Sequence, residues 1–168
     1  MKIKISGLDN GTHTYDFEGD IGDIDLEEPF YNKYKTQVVL NKFMDQIILE
    51  ASTISGAKFT CDRCSVDFEK DVESNYKNVY LFGNDVDSKQ GSDITYLSTN
   101  TINIDITDDV RDYLILAVPM KKLCKEDCKG LCYKCGTDLN NSTCDCTKDE
   151  TDTRWDKLLE LKNKLNTN

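Results

Sequence analysis

Six of the chain's eight cysteines fall between Leu123 and Cys146, in LCKEDCKGLCYKCGTDLNNSTCDC, spaced C-x3-C, C-x2-C and C-x-C. The other two, Cys61 and Cys64, form a separate knuckle, CDRC, well upstream. A thiol cluster this dense is either a disulfide framework in an oxidising compartment or a set of thiolates on metal. The opening residues, MKIKISGLDNGTHTYDFEGD, hold no apolar signal-peptide core, and no stretch approaches the roughly 20 apolar residues of a membrane span. A soluble, cytoplasmic chain with reduced thiols is therefore expected, and zinc is the expected metal. At 168 residues the chain can bury a core that does not rest on its cysteines alone.

The rest of the chain reads mostly as strand. Ile3 and Ile5 alternate with polar residues over Lys2–Ser6, and Asp9-Asn10-Gly11 signals a turn into a return strand, His13–Phe17. The acidic segment 19–29 reads as loop. Gln37–Leu40, Gln46–Ser55, Ala57–Thr60 and Val66–Phe82 are rich in β-branched and aromatic residues, which places Cys61 and Cys64 at the tip of a hairpin. Gly83–Ser98 is polar and turn-rich, a long loop. A strand follows over Asn100–Ile106. Val110, Tyr113, Leu114, Ala117 and Val118 then define a helix capped by Thr107 or Asp108 and ended by Pro119. Trp155, Leu158, Leu159 and Leu165 mark a short amphipathic C-terminal helix. The expected fold is α+β. It has an antiparallel β-rich core, barrel- or sandwich-like, over residues 1–120, a Cys-rich zinc-ribbon-like module over 121–150, and the helix over 151–168, making two short helices in all.

Eight thiols suffice for two closed, structural four-ligand sites. The preferred grouping sets Cys61 and Cys64 with Cys124 and Cys128, and Cys132 and Cys135 with Cys144 and Cys146. The first site closes a loop of about 60 residues at a cost of roughly 3–4 kcal/mol. Structural zinc supplies roughly 10–16 kcal/mol in small peptides, so loop length does not forbid the pairing. One zinc with spare cysteines, or another grouping, remains open on spacing alone. The C-x-C pair is geometrically tight, although residues two apart on a strand share a face.

Catalysis finds little support. His13 is the only histidine, and a strand position beside a turn is its ordinary home. No H-E-x-x-H, H-x-E or Gly-rich phosphate motif is present. The formal charge of −10 is concentrated in residues 1–30, with two lysines against eight acids, and in 84–112, with two basic residues against seven acids. General nucleic-acid binding is thereby excluded, because phosphate contacts dominate that affinity. Any RNA contact has to be local.

CDRC (61–64), VPMKKLC (118–124), CKGLCYKCGTDLN (128–140) and CDC (144–146), followed by DTRW (152–155), together resemble the YceD-type large ribosomal RNA accumulation proteins of bacteria and plastids. The likeness runs in order over residues 58–165. Lys122 and Tyr133 stand where the family usually has proline, which leaves the cysteine framework intact. The resemblance implies a non-catalytic role in the accumulation or stability of large-subunit ribosomal RNA. The partners would be that RNA, the assembling subunit or a ribosomal protein, with neither a membrane nor a small-molecule substrate. Some members keep the upstream knuckle without the later cysteines, which favours its pairing with Cys124 and Cys128. RNA would be met by Lys121, Lys122, Lys125, Lys129 and Lys134 with Tyr133 among them, and by Arg63 through a bidentate phosphate contact. Those lysines equally serve to offset the negative charge of zinc–thiolate centres. Two other readings are a protein-binding adaptor using the acidic surface and a thiol redox or metal-buffering protein.

Overall fold

The computed structural model describes residues 1–83 and 94–146, together with Leu158, which is helical and half exposed. The remainder of the expected C-terminal helix lies outside the described residues. Strands β1 (Lys2–Lys4) and β2 (Gly11–Asp20) are followed by a 3-10 turn, Ile21–Ile24, then β3 (Phe30–Lys42), β4 (Gln46–Thr60) and β5 (Asp67–Phe82). After these come β6 (Ile94–Leu97), β7 (Asn103–Asp105) and the helix α1 (Thr107–Leu116).

The architecture is α+β, with five strands ordered β2-β3-β4-β5-β6 and a separate pair, β1-β7. All pairings are antiparallel except β5 with β6, which is parallel. Residues from both sheets and from the helix share one core, including Ile3, Ile104, Leu40 and Leu49 of the sheets and Val110 of α1.

β4 sets the geometry of everything downstream. Its odd-numbered residues from Ile47 to Phe59 are all buried, while Glu50, Ile54, Lys58 and Thr60 face solvent. This is the period of a strand with one face in the core. The next odd position is Cys61, 2% exposed, so the pleat that fills the core also delivers the first thiol. Phe59 pairs with Phe68 and Thr60 with Asp67, which holds CDRC at the hairpin tip.

Four expectations are corrected. Ile3 pairs with Ile104 rather than with the strand after the Asp-Asn-Gly turn, so β1 and β2 are not a hairpin. That pairing sets Ile3 and Ile104 side by side in the core, with Ile106 buried beside them. Ile94–Leu97 is strand β6 where loop was expected, because Val79–Phe82 offers it a ladder. The acidic segment buries Ile24 and Leu26 through its 3-10 turn. The helix begins earlier than read: Thr107 is its first residue and Ile106 its N-cap, without a side-chain cap bond. Asp105 Oδ1, one residue further out, accepts from Thr107 N at 3.1 Å and from Thr107 Oγ1 at 2.6 Å. These bonds hold the Asp105 carboxyl below its usual range. α1 packs on β4 and β5, with Tyr113 stacked on Tyr76 at 4.5 Å.

Candidate metal centre

The first knuckle is built by its own backbone. Ser65 N donates to Cys61 O at 2.9 Å, and Cys61 N donates to Val66 O at 2.9 Å. Ser65 adopts a left-handed φ of 57° to make this turn. The second knuckle repeats the pattern: Gly136 N donates to Cys132 O and Cys132 N to Thr137 O, both at 2.8 Å, with Gly136 at φ 74°. In both, the N–H groups two and three residues on point at the first sulfur, from Arg63 and Cys64 onto Cys61, and from Lys134 and Cys135 onto Cys132. N–H groups so aimed stabilise thiolate. Against burial, which pushes the other way, the N–H groups of Cys124, Arg63 and Cys64 bring Cys61 down to about 6. The hydroxyl and N–H of Thr137 bring Cys135 down to about 6.

The other ligand candidates arrive by tertiary contacts. Asp62 and Lys122 grip each other reciprocally, Asp62 N donating to Lys122 O at 2.8 Å and Lys122 N to Asp62 Oδ2 at 2.7 Å. That clamp presents Cys124. Arg63 Nη1 donates to Cys128 O at 2.6 Å, which fixes the fourth position. The structure thus gathers Cys61, Cys64, Cys124 and Cys128 in one cluster, and Cys132, Cys135, Cys144 and Cys146 in another. The sulfurs of each lie within 4.8 Å of one another.

All eight cysteines are free thiols. Cys61 and Cys128 sulfurs stand 3.8 Å apart, and those of Cys64 and Cys124 stand 3.6 Å apart. A disulfide needs about 2.05 Å. A tetrahedron of Zn–S bonds of roughly 2.3 Å has edges of about 3.8 Å. The donor set and its spacing therefore fit zinc. Burial and the neighbouring thiols push Cys124 up to about 12, and the neighbouring Cys135, followed by burial, pushes Cys146 up to about 12. Four sulfurs so close cannot all shed protons unless a cation holds them together.

The residues read as an RNA face are spread around these centres. Lys121, Lys125, Lys129, Lys134, Arg63 and Tyr133 are exposed and Lys122 is half-buried. Lys121, Lys122 and Lys125 line a groove of about 330 Å³ with Lys70, Phe59 and Phe68, in which Glu69 and Glu126 are the acids. Lys122 Nζ lies 5.7 Å from the Phe59 ring centre. Arg63 spends one guanidinium nitrogen on the Cys128 carbonyl. Sequence reasoning missed Lys70, Asp62 and Asn140. Asp62 lies inside the knuckle, where a polar residue signals nothing about a partner 60 positions away.

A β-sheet protein with two tetrathiol clusters, one joining a hairpin tip to a cysteine-rich strap and one within that strap, is the class these features define. The family described as large ribosomal RNA subunit accumulation protein YceD matches residues 52–162, and this chain belongs to that family. Among curated relatives, the large ribosomal RNA subunit accumulation protein YCED homolog 1, chloroplastic, of Arabidopsis thaliana is 26% identical over 133 residues, 62% of this chain and 41% of the relative. The Zea mays protein of the same name is 43% identical over 44 residues, 26% of this chain and 15% of the relative. The alignments thus take in less than half of either plant protein. No solved structure gives a significant match. Among the described residues no helix is long and apolar enough to cross a membrane.

Proposed function

We propose that this chain is a non-catalytic factor for the accumulation of large-subunit ribosomal RNA, with a structural zinc held in each tetrathiol cluster. The observation that carries this reading is the family match over 52–162, which takes in every cysteine of both clusters. Zinc supplies closed, four-sulfur crosslinks with no open position for substrate or water. The protein's own part is to hold the strap 121–146 against the end of the sheet, through Asp62, Arg63 and the two knuckles. The groove of Lys70, Lys121, Lys122 and Lys125 is the local basic surface that a chain of charge −10 needs to meet RNA. Its working compartment is the one that holds the ribosomes, the cytoplasm; the plant relatives are named chloroplastic.

The adaptor reading is less well supported, because the acids of α1 are engaged within the fold. Asp108 and Asp112 pair with Arg111 at 3.0 Å, and Asp109 accepts from Asn78 at 3.0 Å.

The test has two parts. Cells lacking the chain are expected to show a fall in large-subunit relative to small-subunit ribosomal RNA, restored by the wild-type gene. An unchanged ratio overturns the proposal. In vitro, labelled large-subunit RNA fragments should bind with a steep salt dependence that Lys121→Glu with Lys125→Glu flattens. Binding insensitive to salt and to those changes would move the contact to a protein partner.

A further inference from the structure

Between the two clusters lies a side chain that belongs to the loop of the second and touches a sulfur of the first. Asn140 sits in the loop between Cys135 and Cys144, which the second cluster closes. Its Oδ1 accepts from Lys129 N at 2.9 Å. Its Nδ2 donates to Cys128 Sγ, in the first cluster, at 3.4 Å and to Asp138 Oδ1 at 2.8 Å. The orientation of the carboxamide is set by chemistry: a backbone N–H demands the oxygen, so the NH2 group faces the sulfur. Asn140 is itself held within the second loop. Its N–H donates to Asp138 Oδ1 at 2.9 Å, and Asp138 is bridged to Leu131 across the knuckle strand.

The dependence also runs in the other direction. Leu131 N donates to Arg63 O at 3.0 Å, tying the second knuckle to the tip of the first. Gly130 makes that approach possible, at φ 77° and with an added Cβ only 2.9 Å from the Arg63 carbonyl oxygen.

We propose that the two clusters load metal as one cooperative unit, and that Asn140 is the positioning residue that couples them. The inference rests on the reading of both clusters as metal centres. With the second cluster loaded, the loop from Cys135 to Cys144 is closed and Asn140 is presented to Cys128. Its N–H then disperses thiolate charge at the first centre and fixes the Cys128 ligand. Binding at each centre therefore favours binding at the other, and linkage makes the favour equal in both directions. Partners of this kind outside the ligand set usually change metal affinity by roughly 10–100-fold.

The experiment is a cobalt titration of the reduced, metal-free full chain, read by thiolate-to-cobalt charge-transfer absorption against a competing chelator. Cadmium-113 resonances separate the two centres. Circular dichroism confirms that each variant keeps its sheet. Wild type is expected to take two equivalents. Asn140→Ala should weaken the first centre by roughly 10–100-fold. In a Cys144→Ser, Cys146→Ser background the first centre starts weakened, and adding Asn140→Ala should change it by no more than about twofold, the limit of independent behaviour. Asn140→Asp sharpens the test, since it keeps the acceptor for Lys129 but sets a carboxylate against the sulfur. It should weaken binding more than Ala does. Equal losses from Asn140→Ala in both backgrounds, or wild-type affinity in Asn140→Asp, overturn the coupling and leave the two-metal reading standing. No cobalt bound by wild type overturns both.

Discussion

The knuckles Cys61–Cys64 and Cys132–Cys135 share a backbone and differ in almost everything around it. Each closes the same pair of backbone hydrogen bonds and aims N–H groups at its first sulfur from the same two positions. The first grows out of a fifteen-residue strand and lies among Phe68, Leu123 and Cys124, with Cys61, Cys64 and Cys128 buried. The second stands on turns and one isolated bridge, with Cys135 exposed and Cys144 and Cys146 half-buried. Local turn chemistry thus fixes how two sulfurs converge, while the surroundings decide what their loss costs and how readily a reagent reaches them.

Removing one ligand from each centre gives the largest contrast. At saturating zinc, Cys61→Ser and Cys132→Ser should each lose one equivalent by elemental analysis. Cys61→Ser should also cost more than about 4 kcal/mol of unfolding free energy, the range reached when a structural metal is lost from a packed site. Cys132→Ser should leave the sheet's own unfolding nearly unchanged. If Cys61→Ser retains full zinc, the grouping of the thiols is wrong. If Cys132→Ser unfolds the sheet, the two centres are not differently supported.

Reactivity should follow the same order. Cys135 combines exposure with a thiol lowered to about 6 by Thr137, the condition for a thiolate nucleophile at neutral pH. Mass mapping of metal-free protein after brief alkylation at pH 7 should find Cys135 modified several-fold ahead of Cys61, which has a similar pKa but is 2% exposed. Lowering the pH through 6 should suppress the Cys135 reaction, because protonation removes the thiolate. Zinc should leave the second centre first under mild oxidant. Release from both centres together even in Asn140→Ala, where the coupling is removed, would mean that burial gives the first no protection.

Next in size is the clamp that only the first centre has. Asp62→Ala removes the charge-assisted bond to Lys122 N and should cost about 1.5 kcal/mol, the low end for such bonds because Asp62 is exposed. Asp138→Ala, which strips the turn beneath the second centre, should instead weaken zinc binding there while leaving the sheet's denaturation midpoint in place. Loss of sheet stability in Asp138→Ala would show that the strap supports the core as a whole.

Much of this was legible in the chain, and what was not has a common cause. Period-two alternation marked β4 and β5, and the cysteine spacing marked both knuckles, because each is a property of neighbouring residues. The partner of β1 lies about 100 residues away in β7, and nothing in KIK records whether its ladder will be NID or the nearer THTYDF. β6 was missed for the same reason, since its four residues become a strand only beside Val79–Phe82. Asp62 and Asn140 read as ordinary polar loop residues. Their partners, Lys122 and Cys128, meet them only after the strap has folded back on the hairpin.

The finest difference between the knuckles is the residue after the second cysteine. Ser65 and Gly136 occupy equivalent left-handed positions, yet only one is glycine. A residue with a Cβ pays roughly 1–2 kcal/mol there, offset in part by the roughly 0.5–1 kcal/mol of chain entropy that glycine loses on folding. Ser65→Gly should therefore stabilise the first knuckle by about 0.5–1 kcal/mol, and Gly136→Ala should destabilise the second by about as much. An added Cβ at Gly136 meets nothing within 4 Å, so its effect is the backbone's alone. Gly130→Ala, whose Cβ would press on the Arg63 carbonyl, should cost clearly more than either. Chemical denaturation in saturating zinc reads the Ser65 change, and zinc affinity at the second centre reads the Gly136 change. If both substitutions shift stability in the same direction, the two turns are not the same structure under strain, and the likeness between the knuckles stops at their hydrogen bonds.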